Sequence, residues 1–400
     1  MALRTPRPWL MLAVGVLAQA SASVVQATPA FLIPLLHGER GLSLAEAGLL
    51  AATPSVGVLL TLVLWGAATD RWGERGVLVA GLTLTALGTL GAILAEGYVA
   101  LGAAFLVAGM GSACASSASA RVVIGWFPAQ RRGFAMGIRQ MSQPLGVAIA
   151  AVAVPPLVSA GSLTPALVFA AALVAVATIA CAVFIVNPTR PPRATDAEGR
   201  PANPYRRSVT LVRIHLVSAL LVIPQYVLST FGLVWLIADQ GWGAIAAGAL
   251  VAASQFAGGV GRIGAGILSD RVGSRLRPLR WVAIAGIPLL LLTALAGEVH
   301  AGPLVAIAYV LAACVSVADN GLAFTAVAEV AGAHWSGRAL GTQNTGQFLT
   351  AAIVAPVVGL LIGVVGYSAA FALIAIAPAI AVPLVPRDPD PEPTAHDRGV

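Results

Sequence analysis

The sequence predicts an all-α polytopic membrane protein with twelve transmembrane helices, arranged as two pseudo-symmetric six-helix bundles. Hydrophobic residues make up 58% of the 400-residue chain and charged residues only 10%, with a mean hydropathy of +0.90. A water-soluble domain carries roughly 25% charged residues. A polar string in the first half of the chain also recurs 200 positions later. Self-similarity of this kind marks an internal duplication.

Twelve apolar runs are each long enough to cross a bilayer, whose core takes about 20 residues of helix. We number these predicted helices 1 to 12 in chain order: about 9–36, 44–68, 76–95, 99–127, 134–158, 164–187, 211–238, 244–268, 280–297, 302–327, 339–364 and 366–386. The long polar connection after helix 6 divides the chain. The predicted organisation is an N-terminal six-helix bundle (1–187), a cytoplasmic linker (188–210), a C-terminal six-helix bundle (211–386) and a disordered cytoplasmic tail (387–400).

The start of helix 1 is similar to a secretory signal peptide, because Arg4 and Arg7 precede an apolar run. The run continues to Leu36, well beyond the ~7–15 residues of a signal core. We therefore interpret it as a retained first transmembrane helix. Helix 2 begins with a predicted capping box, Ser43 with Glu46 three residues later.

The placement of the arginines predicts the orientation in the membrane. All 23 basic residues are Arg, and 19 of them lie in segments on the same side as the N-terminus. The loops of the opposite side hold only Arg40. The positive-inside rule then places both termini in the cytoplasm of a multi-pass protein of the cell (plasma or inner) membrane. Because these are loop charges, the net charge of +7 does not indicate a nucleic-acid partner.

The repeated string lies between helices 2 and 3 and again between helices 8 and 9. Its five identities are Gly66, Asp70, Arg71, Gly73 and Arg75 in the first copy, and Gly266, Asp270, Arg271, Gly273 and Arg275 in the second. A second correspondence relates helix 5 to helix 11, where Gly133-Phe-Ala-Met-Gly137 matches Gly337-Arg-Ala-Leu-Gly341.

Polar side chains are unevenly distributed among the helices. Apart from the end residues Asn187 and Arg280, helices 3, 6, 9 and 12 carry no charged or amide side chain and are expected to face lipid. The other helices carry polar faces, which indicate a wet central cavity between the two halves. The residues that we expect to contact a substrate there are Gln26, Arg139, Gln143, Gln225, Tyr226, Arg262, Gln343, Asn344 and Gln347.

The string G-x-x-x-D-R-x-G-x-R, present twice in register with twelve helices, resembles the signature of the major facilitator superfamily of secondary transporters. The resemblance covers essentially the whole chain and implies alternating access by rocking of the two halves. It also implies that Asp70 contacts the start of helix 11 and Asp270 the start of helix 5, as parts of a gate. The alternative is that the arginines of the string only anchor loops to anionic headgroups.

Arg262, about two turns inside helix 8, is similar to an arginine of the monocarboxylate and oxalate transporters of this superfamily, which binds the substrate carboxylate. The planar guanidinium pairs bidentately with a carboxylate, so the resemblance implies a small organic anion as solute. Alternatively, Arg262 snorkels to the membrane surface or pairs with a structural acid. Arg139 is a candidate second contact for the anion. Arg121, nearer the end of its helix, is expected to snorkel.

Asp319 is the one carboxylate near mid-membrane in the sequence and is therefore the default proton-carrying group. Its alternative role is a permanent ion pair with Arg262. Our hypothesis is intermediate: protonation of Asp319 releases Arg262 to accept the anion, which gives proton–anion symport. The predicted partners are thus a small solute, the proton and the lipid bilayer.

Three rival functions are weighed against this prediction. Drug–proton antiporters of the superfamily resemble one another in a helix 5 signature, G-x-x-x-G-P-x-x-G-G, but here Arg139 and Gln143 occupy its glycine positions before Pro144. A polytopic enzyme needs clustered His, Asp or Cys, and the five histidines and three cysteines form no cluster in the sequence. No metal or cofactor is therefore expected. A non-transporting sensor would be favoured by a long extra domain.

Overall fold

The computed structural model describes residues 8–38, 41–158, 162–188 and 203–387, and all regular elements in these ranges are helices. The first half contains Pro8–Phe31, Ile33–Gly38, Leu44–Trp72, Glu74–Leu94, Tyr98–Trp126, Ala129–Gln140, Ser142–Val158 and Thr164–Phe184. The short helix Pro204–Arg207 precedes the second half, which contains Thr210–Ala238, Ala244–Val272, Leu276–Glu298, Gly302–Ala331, Ser336–Ile374 and Ile376–Leu384. Arg4, Arg7, Arg40, most of the predicted linker and the predicted tail after residue 387 lie outside the described residues.

These elements reproduce the twelve predicted helices, with interruptions within helices 1 and 5 and, at Ala375, within helix 12. Helix 1 is Pro8–Phe31 with the short continuation Ile33–Gly38, and helix 5 breaks at Met141. Gly366, with a φ of 79°, divides Ser336–Ile374 into helices 11 and 12. Ten stretches of the described chain are long and apolar enough to cross a membrane, one of which holds both helices 11 and 12. The predicted all-α polytopic fold is confirmed.

Local sequence explains where helices 2 and 8 begin and end. The predicted capping box of helix 2 is confirmed: the Glu46 N–H donates to Ser43 Oγ at 3.2 Å, and the Ser43 N–H donates to Glu46 Oε2 at 2.8 Å. Helix 2 ends at Gly73 with a φ of 90°, and helix 8 ends at Gly273 with a φ of 67°. Only glycine adopts such values without steric cost, which accounts for the second glycine of each repeated string.

The apolar core consists of separate clusters that show where the two halves meet. One large cluster lies within helices 1–6 and another within helices 7–12. A third joins both halves, for example Phe127 and Met136 of the first half with Leu322 and Leu340 of the second. We call the end of the molecule that carries both repeated strings the signature end, and the other the far end. The third cluster fastens the halves together toward the signature end.

The helices that were expected to face lipid pack within their own halves. Helix 3 packs against helices 4 and 6, and helix 9 packs against helices 10 and 12. Their outer surfaces expose large apolar side chains, such as Leu94 (82% exposed) and Ile179 (64%). This arrangement leaves the polar helices to form the contact between the halves.

Candidate functional site

Two aspartates join the halves at the signature end. Asp70 Oδ1 accepts from the Gly337 N–H at 2.8 Å, and Asp70 Oδ2 accepts from the Arg338 N–H at 3.0 Å. Asp270 accepts in the same way from the N–H groups of Gly133 (3.0 Å) and Phe134 (2.8 Å). Gly337 and Arg338 lie in the first turn of helix 11, where unpaired N–H groups and the positive end of the helix dipole stabilise a carboxylate. Gly133 and Phe134 lie one turn inside the helix Ala129–Gln140, so Asp270 binds helix 5 beyond its first turn.

Glycines let the backbones of the two halves touch beside these aspartates. A Cβ atom on Gly66 would lie 2.2 Å from the Gly337 carbonyl oxygen, and one on Gly266 would lie 2.2 Å from that of Gly133. No real side chain fits at that distance. Each of the two close helix crossings thus explains one glycine of a repeated string, Gly66 or Gly266, and one glycine of the helix 5/11 motif, Gly337 or Gly133.

Arg121 corrects an expectation of the sequence analysis, because it does not reach the membrane surface. Its side chain is only 4% exposed and pairs with Asp70 (2.7 Å) and Glu74 (3.1 Å), both of which are fully buried. It also donates across the interface to the Ala333 carbonyl at 2.9 Å. Sequence reasoning missed this cluster because helix 3 was predicted to begin after Glu74, whereas it begins at that residue.

The second copy of the string is clamped by a different arginine. Arg275 pairs with Asp270 (2.6 Å) and Glu329 (3.3 Å) and donates across the interface to the Ala129 carbonyl. Glu329 also pairs with Arg132 of the first half at 3.3 Å. This cluster is more open to solvent than that of Arg121, with Glu329 25% exposed.

The other arginines of the two strings lie at the surface. Arg75, the counterpart of Arg275, has an exposed side chain, and its backbone N–H donates to Asn187 Oδ1 at 2.9 Å. Arg71 and Arg271 are exposed as well, and Arg71 lies beside the ring of Trp72. Residues that are identical in the two copies of the string therefore make different contacts.

Arg139 is buried in the first half and is surrounded by neutral groups. Its Nε donates to Ser119 Oγ at 3.0 Å, and its Nη2 donates to the Ser116 carbonyl at 2.6 Å and to Gln19 Oε1 at 3.3 Å. Its Nη1 donates to the side-chain oxygen of Gln140. Within the described chain no acidic side chain pairs with Arg139, so its charge is stabilised by these dipoles and by the ring of Phe324, whose centroid lies 5.8 Å from the guanidinium carbon.

Arg262 of helix 8 reaches across to helix 5 of the first half and binds the backbone of Gln140. Its Nη1 donates to the backbone carbonyl of Gln140 at 3.0 Å, while its Nε is buried without a hydrogen-bond partner. It forms no ion pair with any described acid. Arg139 and Arg262 thus approach Gln140 from opposite halves.

The amides of the second half form a network among helices 7, 10 and 11. Asn320 Nδ2 donates to Gln225 Oε1 at 2.9 Å, and Gln347 Nε2 donates to Asn320 Oδ1 at 2.9 Å and to Ser218 Oγ at 2.8 Å. Gln347, a predicted substrate contact, is therefore occupied in holding its own half together. Asn344 donates to the Leu340 carbonyl of its own helix at 3.0 Å.

Gln343 is directed toward the segment that links the halves. Its Oε1 contacts His215 Nδ1, and His215 Nε2 lies 2.9 Å from the Tyr205 hydroxyl. Burial raises the pKa of the Tyr205 phenol, so the hydroxyl stays neutral as a hydrogen-bonding group. The short helix Pro204–Arg207 is thereby fixed against helices 7 and 11.

The remaining predicted contacts differ in their surroundings. Gln26 donates to Ser112 Oγ at 3.0 Å and so links helices 1 and 4. Gln143 is exposed on helix 5. Tyr226 is half-buried on helix 7, next to Gln225. The structure does not gather all the predicted substrate contacts around one point.

A pocket lies between the halves on the far-end side of Arg262. Pro144 of helix 5 contributes to its wall, and Gln225, Ser254, Gln255 and Arg262 contribute from the second half. About half of the lining is apolar, for example Leu228 and Val317, and the rest consists of amides, hydroxyls and one guanidinium. This pocket offers a hydrogen-bonding, positively charged surface to a small solute.

Asp319 is completely buried and faces away from that pocket. Neither of its carboxylate oxygens accepts a hydrogen bond, and no ion pair with Arg262 is present among the described residues. The side chain lines a small, mainly apolar pocket with Leu221, Val282 and Pro378 of helices 7, 9 and 12. Arg262 still interacts with it electrostatically. A permanent ion pair between the two residues is not what the structure shows.

Two six-helix halves that close against each other at one end, with a pocket beside their contact, are the architecture of a membrane transporter. The family model of the Major Facilitator Superfamily matches residues 15–355, and the chain belongs to that family. An uncharacterized MFS-type transporter of Mycobacterium tuberculosis is 44% identical over 379 residues, which cover 94% of this chain and 84% of the relative. The protein is therefore a multi-pass membrane transporter.

More distant relatives carry names that specify a solute. A probable nitrate/nitrite transporter of Mycobacterium tuberculosis is 28% identical and covers 71% of this chain and 72% of its own length. A probable sulfoacetate transporter of Cupriavidus necator is 26% identical, with 81% and 80% covered. Among solved structures, the crystal structure of the MFS transporter FucP in the outward conformation matches with a TM-score of 0.77 at 16% identity, covering 94% of this chain and 97% of that one. That likeness supports the fold.

Proposed function

We propose that the protein carries a small organic anion across the membrane, coupled to the movement of a proton. The observation that carries this proposal is a pair of arginines, one from each half, that both bind Gln140: Arg139 is buried, and Arg262 is half-buried with a buried Nε. Neither Arg139 nor Arg262 has an ion-pair partner in the described chain. A cationic centre between two moving halves is suited to an anion that both halves bind in turn.

The cost of burying charge supports an anionic rather than a cationic solute. Charged side chains inside a membrane are expensive and are normally paired or functional. Here two guanidinium groups share the region with one carboxyl group, that of Asp319. A bound carboxylate would neutralise one of them and form bidentate, charge-assisted hydrogen bonds with Arg262. A cationic drug would add repulsion instead.

Asp319 is the group that we propose for proton coupling. A buried carboxyl group without hydrogen-bond partners is suited to bind and release a proton, because its ionised form is poorly stabilised there. Since it does not touch Arg262 directly, we propose that its protonation acts on Arg262 through their electrostatic interaction and through helix 10. In this proposal the coupling does not require a direct ion pair between Asp319 and Arg262 to break, as the sequence-based hypothesis does.

The names of the relatives support the same solute class. Nitrate, nitrite and sulfoacetate, which two of these relatives are named for, are all small anions. Sulfoacetate carries a carboxylate and a sulfonate, so a carboxylate with or without a second acidic group is the first class to test.

We further propose that the repeated strings form a gate on the cytoplasmic side. Asp70 and Asp270 bind the N-terminal parts of helices 11 and 5, and these contacts have to break before the signature end can open. The excess of arginine on that side supports its cytoplasmic placement.

The solute class is tested by thermal stability of the purified protein in detergent. Lactate, oxalate, sulfoacetate, nitrate and a lipophilic cationic dye are added separately, and the melting temperature is measured. We expect stabilisation by at least one carboxylate and none by the dye. The Arg262→Ala variant should lose that stabilisation, whereas Arg75→Ala, at an exposed position, should keep it. Stabilisation that persists without the Arg262 side chain would remove it from the site.

Proton coupling is tested in reconstituted vesicles with the anion found in that screen. The Asp319→Asn variant should lose uptake driven by a pH gradient but retain counterflow of labelled solute against unlabelled solute. Retention of pH-driven uptake would contradict the role of Asp319, and loss of both activities would leave it as a structural residue.

A further inference from the structure

The carbonyl group of Gln140 lacks its normal helical partner. In an α-helix the carbonyl of a residue accepts from the N–H four positions later. Four positions after Gln140 stands Pro144, which has no N–H. Helix 5 is interrupted at this point, with Ala129–Gln140 on one side of Met141 and Ser142–Val158 on the other. The Gln140 carbonyl is therefore left for a donor outside its helix.

Arg262 supplies that donor from the opposite half. Its Nη1 lies 3.0 Å from the Gln140 carbonyl oxygen. Its Nε is buried and unpartnered, so the hydrogen-bonding capacity of the guanidinium is not filled. A neutral carbonyl is a weaker acceptor than a carboxylate, whose charge-assisted hydrogen bonds are roughly twice as strong. An anion can thus displace the carbonyl from Arg262.

The pocket gives an anion access to this contact. Pro144 and Arg262 line the same cavity, together with Ser254 and Gln255. Toward the signature end the helices touch closely, because a Cβ atom on Gly137 would lie 2.9 Å from the Arg262 carbonyl oxygen and from Ile263 Cα. The Arg262–Gln140 bond is therefore the polar contact of this interface that faces the pocket.

From these observations we infer that the Gln140 carbonyl, exposed by Pro144, is the resting partner of Arg262, and that the transported anion replaces it. The exchange removes one hydrogen bond between the halves at the moment the anion binds. Anion binding and separation of helices 5 and 8 are then coupled, because a ligand shifts a conformational equilibrium by its different affinity for the two states. Pro144 is in this sense a positioning residue, and the inference rests on the proposed anion transport.

The Pro144→Ala variant tests the inference, because it supplies an N–H that can satisfy the Gln140 carbonyl. The competitor of the anion is weakened, so we expect the Kd of the anion to fall about three- to tenfold, which corresponds to one neutral hydrogen bond. Pro155→Ala is the matched control, since Pro155 is an exposed proline of the same helix away from the pocket. Its Kd should equal that of the wild type. An unchanged or raised Kd in Pro144→Ala would overturn the inference.

A distance measurement gives a second readout that does not depend on affinity. Arg131→Cys and Arg271→Cys place spin labels on opposite halves, in one groove at the signature end, after the three native cysteines are replaced. Saturating anion should increase the fraction of long distances in the wild-type background. In Pro144→Ala that fraction should already be raised without anion, and the increase on binding should be smaller.

The two proposals fail in different ways. If no anion binds to the wild type, the proposed function is wrong. If the wild type binds an anion but Pro144→Ala shows the wild-type Kd and the wild-type distances, only the exchange at Gln140 is wrong.

Discussion

Two interfaces join the halves, and they share one design but differ in chemistry. Helix 2 meets helix 11, and helix 5 meets helix 8, each through a glycine crossing and an aspartate that binds two N–H groups. In the repeat, however, the residue of helix 2 that corresponds to Arg262 is Leu62, and the residue of helix 11 that corresponds to Pro144 is Phe348. Both side chains join a small apolar cluster.

The difference suggests separate roles for the two interfaces. An apolar contact such as that of Leu62 and Phe348 cannot respond to an anion, whereas the bond between Arg262 and Gln140 can. The helix 2/11 interface is also clamped by the buried Arg121, and the helix 5/8 interface by the more exposed Arg275. We therefore regard the first as the more rigid joint and the second as the joint that senses the solute.

The largest effect is expected at the buried clamp. Arg121→Leu removes the cation that pairs with both buried carboxylates, Asp70 and Glu74, although Asp70 keeps Arg338 at 3.3 Å. The loss of one partner of a buried pair costs about 3–5 kcal/mol. Arg275→Leu should cost less, because the side chain of its partner Glu329 is 25% exposed. Melting curves in detergent compare the two variants, and equal losses would remove the proposed difference in rigidity.

The glycine crossings should respond alike, which tests the part of the design that the interfaces share. Gly66→Ala and Gly266→Ala each place a methyl group against a backbone carbonyl of the other half. Overpacking costs about 1–3 kcal/mol, so the closed signature end should be disfavoured by about five- to 150-fold.

The spin-label distances at positions 131 and 271 check this expectation. Gly264→Ala is the control, because the space around that glycine is open. A normal closed distance in either crossing variant would contradict the close contact seen here.

A smaller effect is expected for the ion pair that crosses the helix 5/8 interface. Arg132 and Glu329 are about one-quarter exposed, and such pairs contribute about 0–1 kcal/mol. Arg132→Gln should therefore lower the melting temperature slightly at low salt and less in high salt, where only the lost hydrogen bond of Arg132 to the Phe127 carbonyl (3.0 Å) still distinguishes it from the wild type. Arg131→Gln, at an exposed neighbouring position, serves as the control, and an effect of Arg132→Gln that salt leaves unchanged would argue for a buried, unscreened pair.

Composition and the internal repeat predict most of the fold, because long apolar runs in a bilayer have few alternatives to helices. The partners of individual polar groups were harder to predict. Arg121 was expected at the membrane surface because its depth was judged along helix 4 alone, whereas Asp70 and Glu74 reach it from helices 2 and 3. Contacts between distant segments leave no periodic signal in one sequence.

Gln140 was missed for another reason, since its signal was present. A proline in a helix leaves the carbonyl four residues before it without its helical partner, so Pro144 by itself predicts a free carbonyl at Gln140. The amides of helix 11 remain predicted substrate contacts, and the structure adds partners that the sequence does not indicate. Gln347 and Gln343 find partners on helices 7 and 10, which the polar pattern of one helix cannot reveal.

The smallest effect is expected at Arg75, where the sequence and the structure disagree most directly. The two repeated strings are alike at this position, so sequence alone predicts the same loss for Arg75→Gln and Arg275→Gln. In the structure Arg75 is exposed and its side chain makes no described contact, while Arg275 binds Asp270, Glu329 and the Ala129 carbonyl. Arg75→Gln should therefore leave both the melting temperature and the anion Kd unchanged, and Arg275→Gln should lower the melting temperature. A loss of stability in Arg75→Gln that matches Arg275→Gln would show that the repeat is functionally symmetric, and the distinction between a rigid and a responsive joint would have to rest on Arg262 and Pro144 alone.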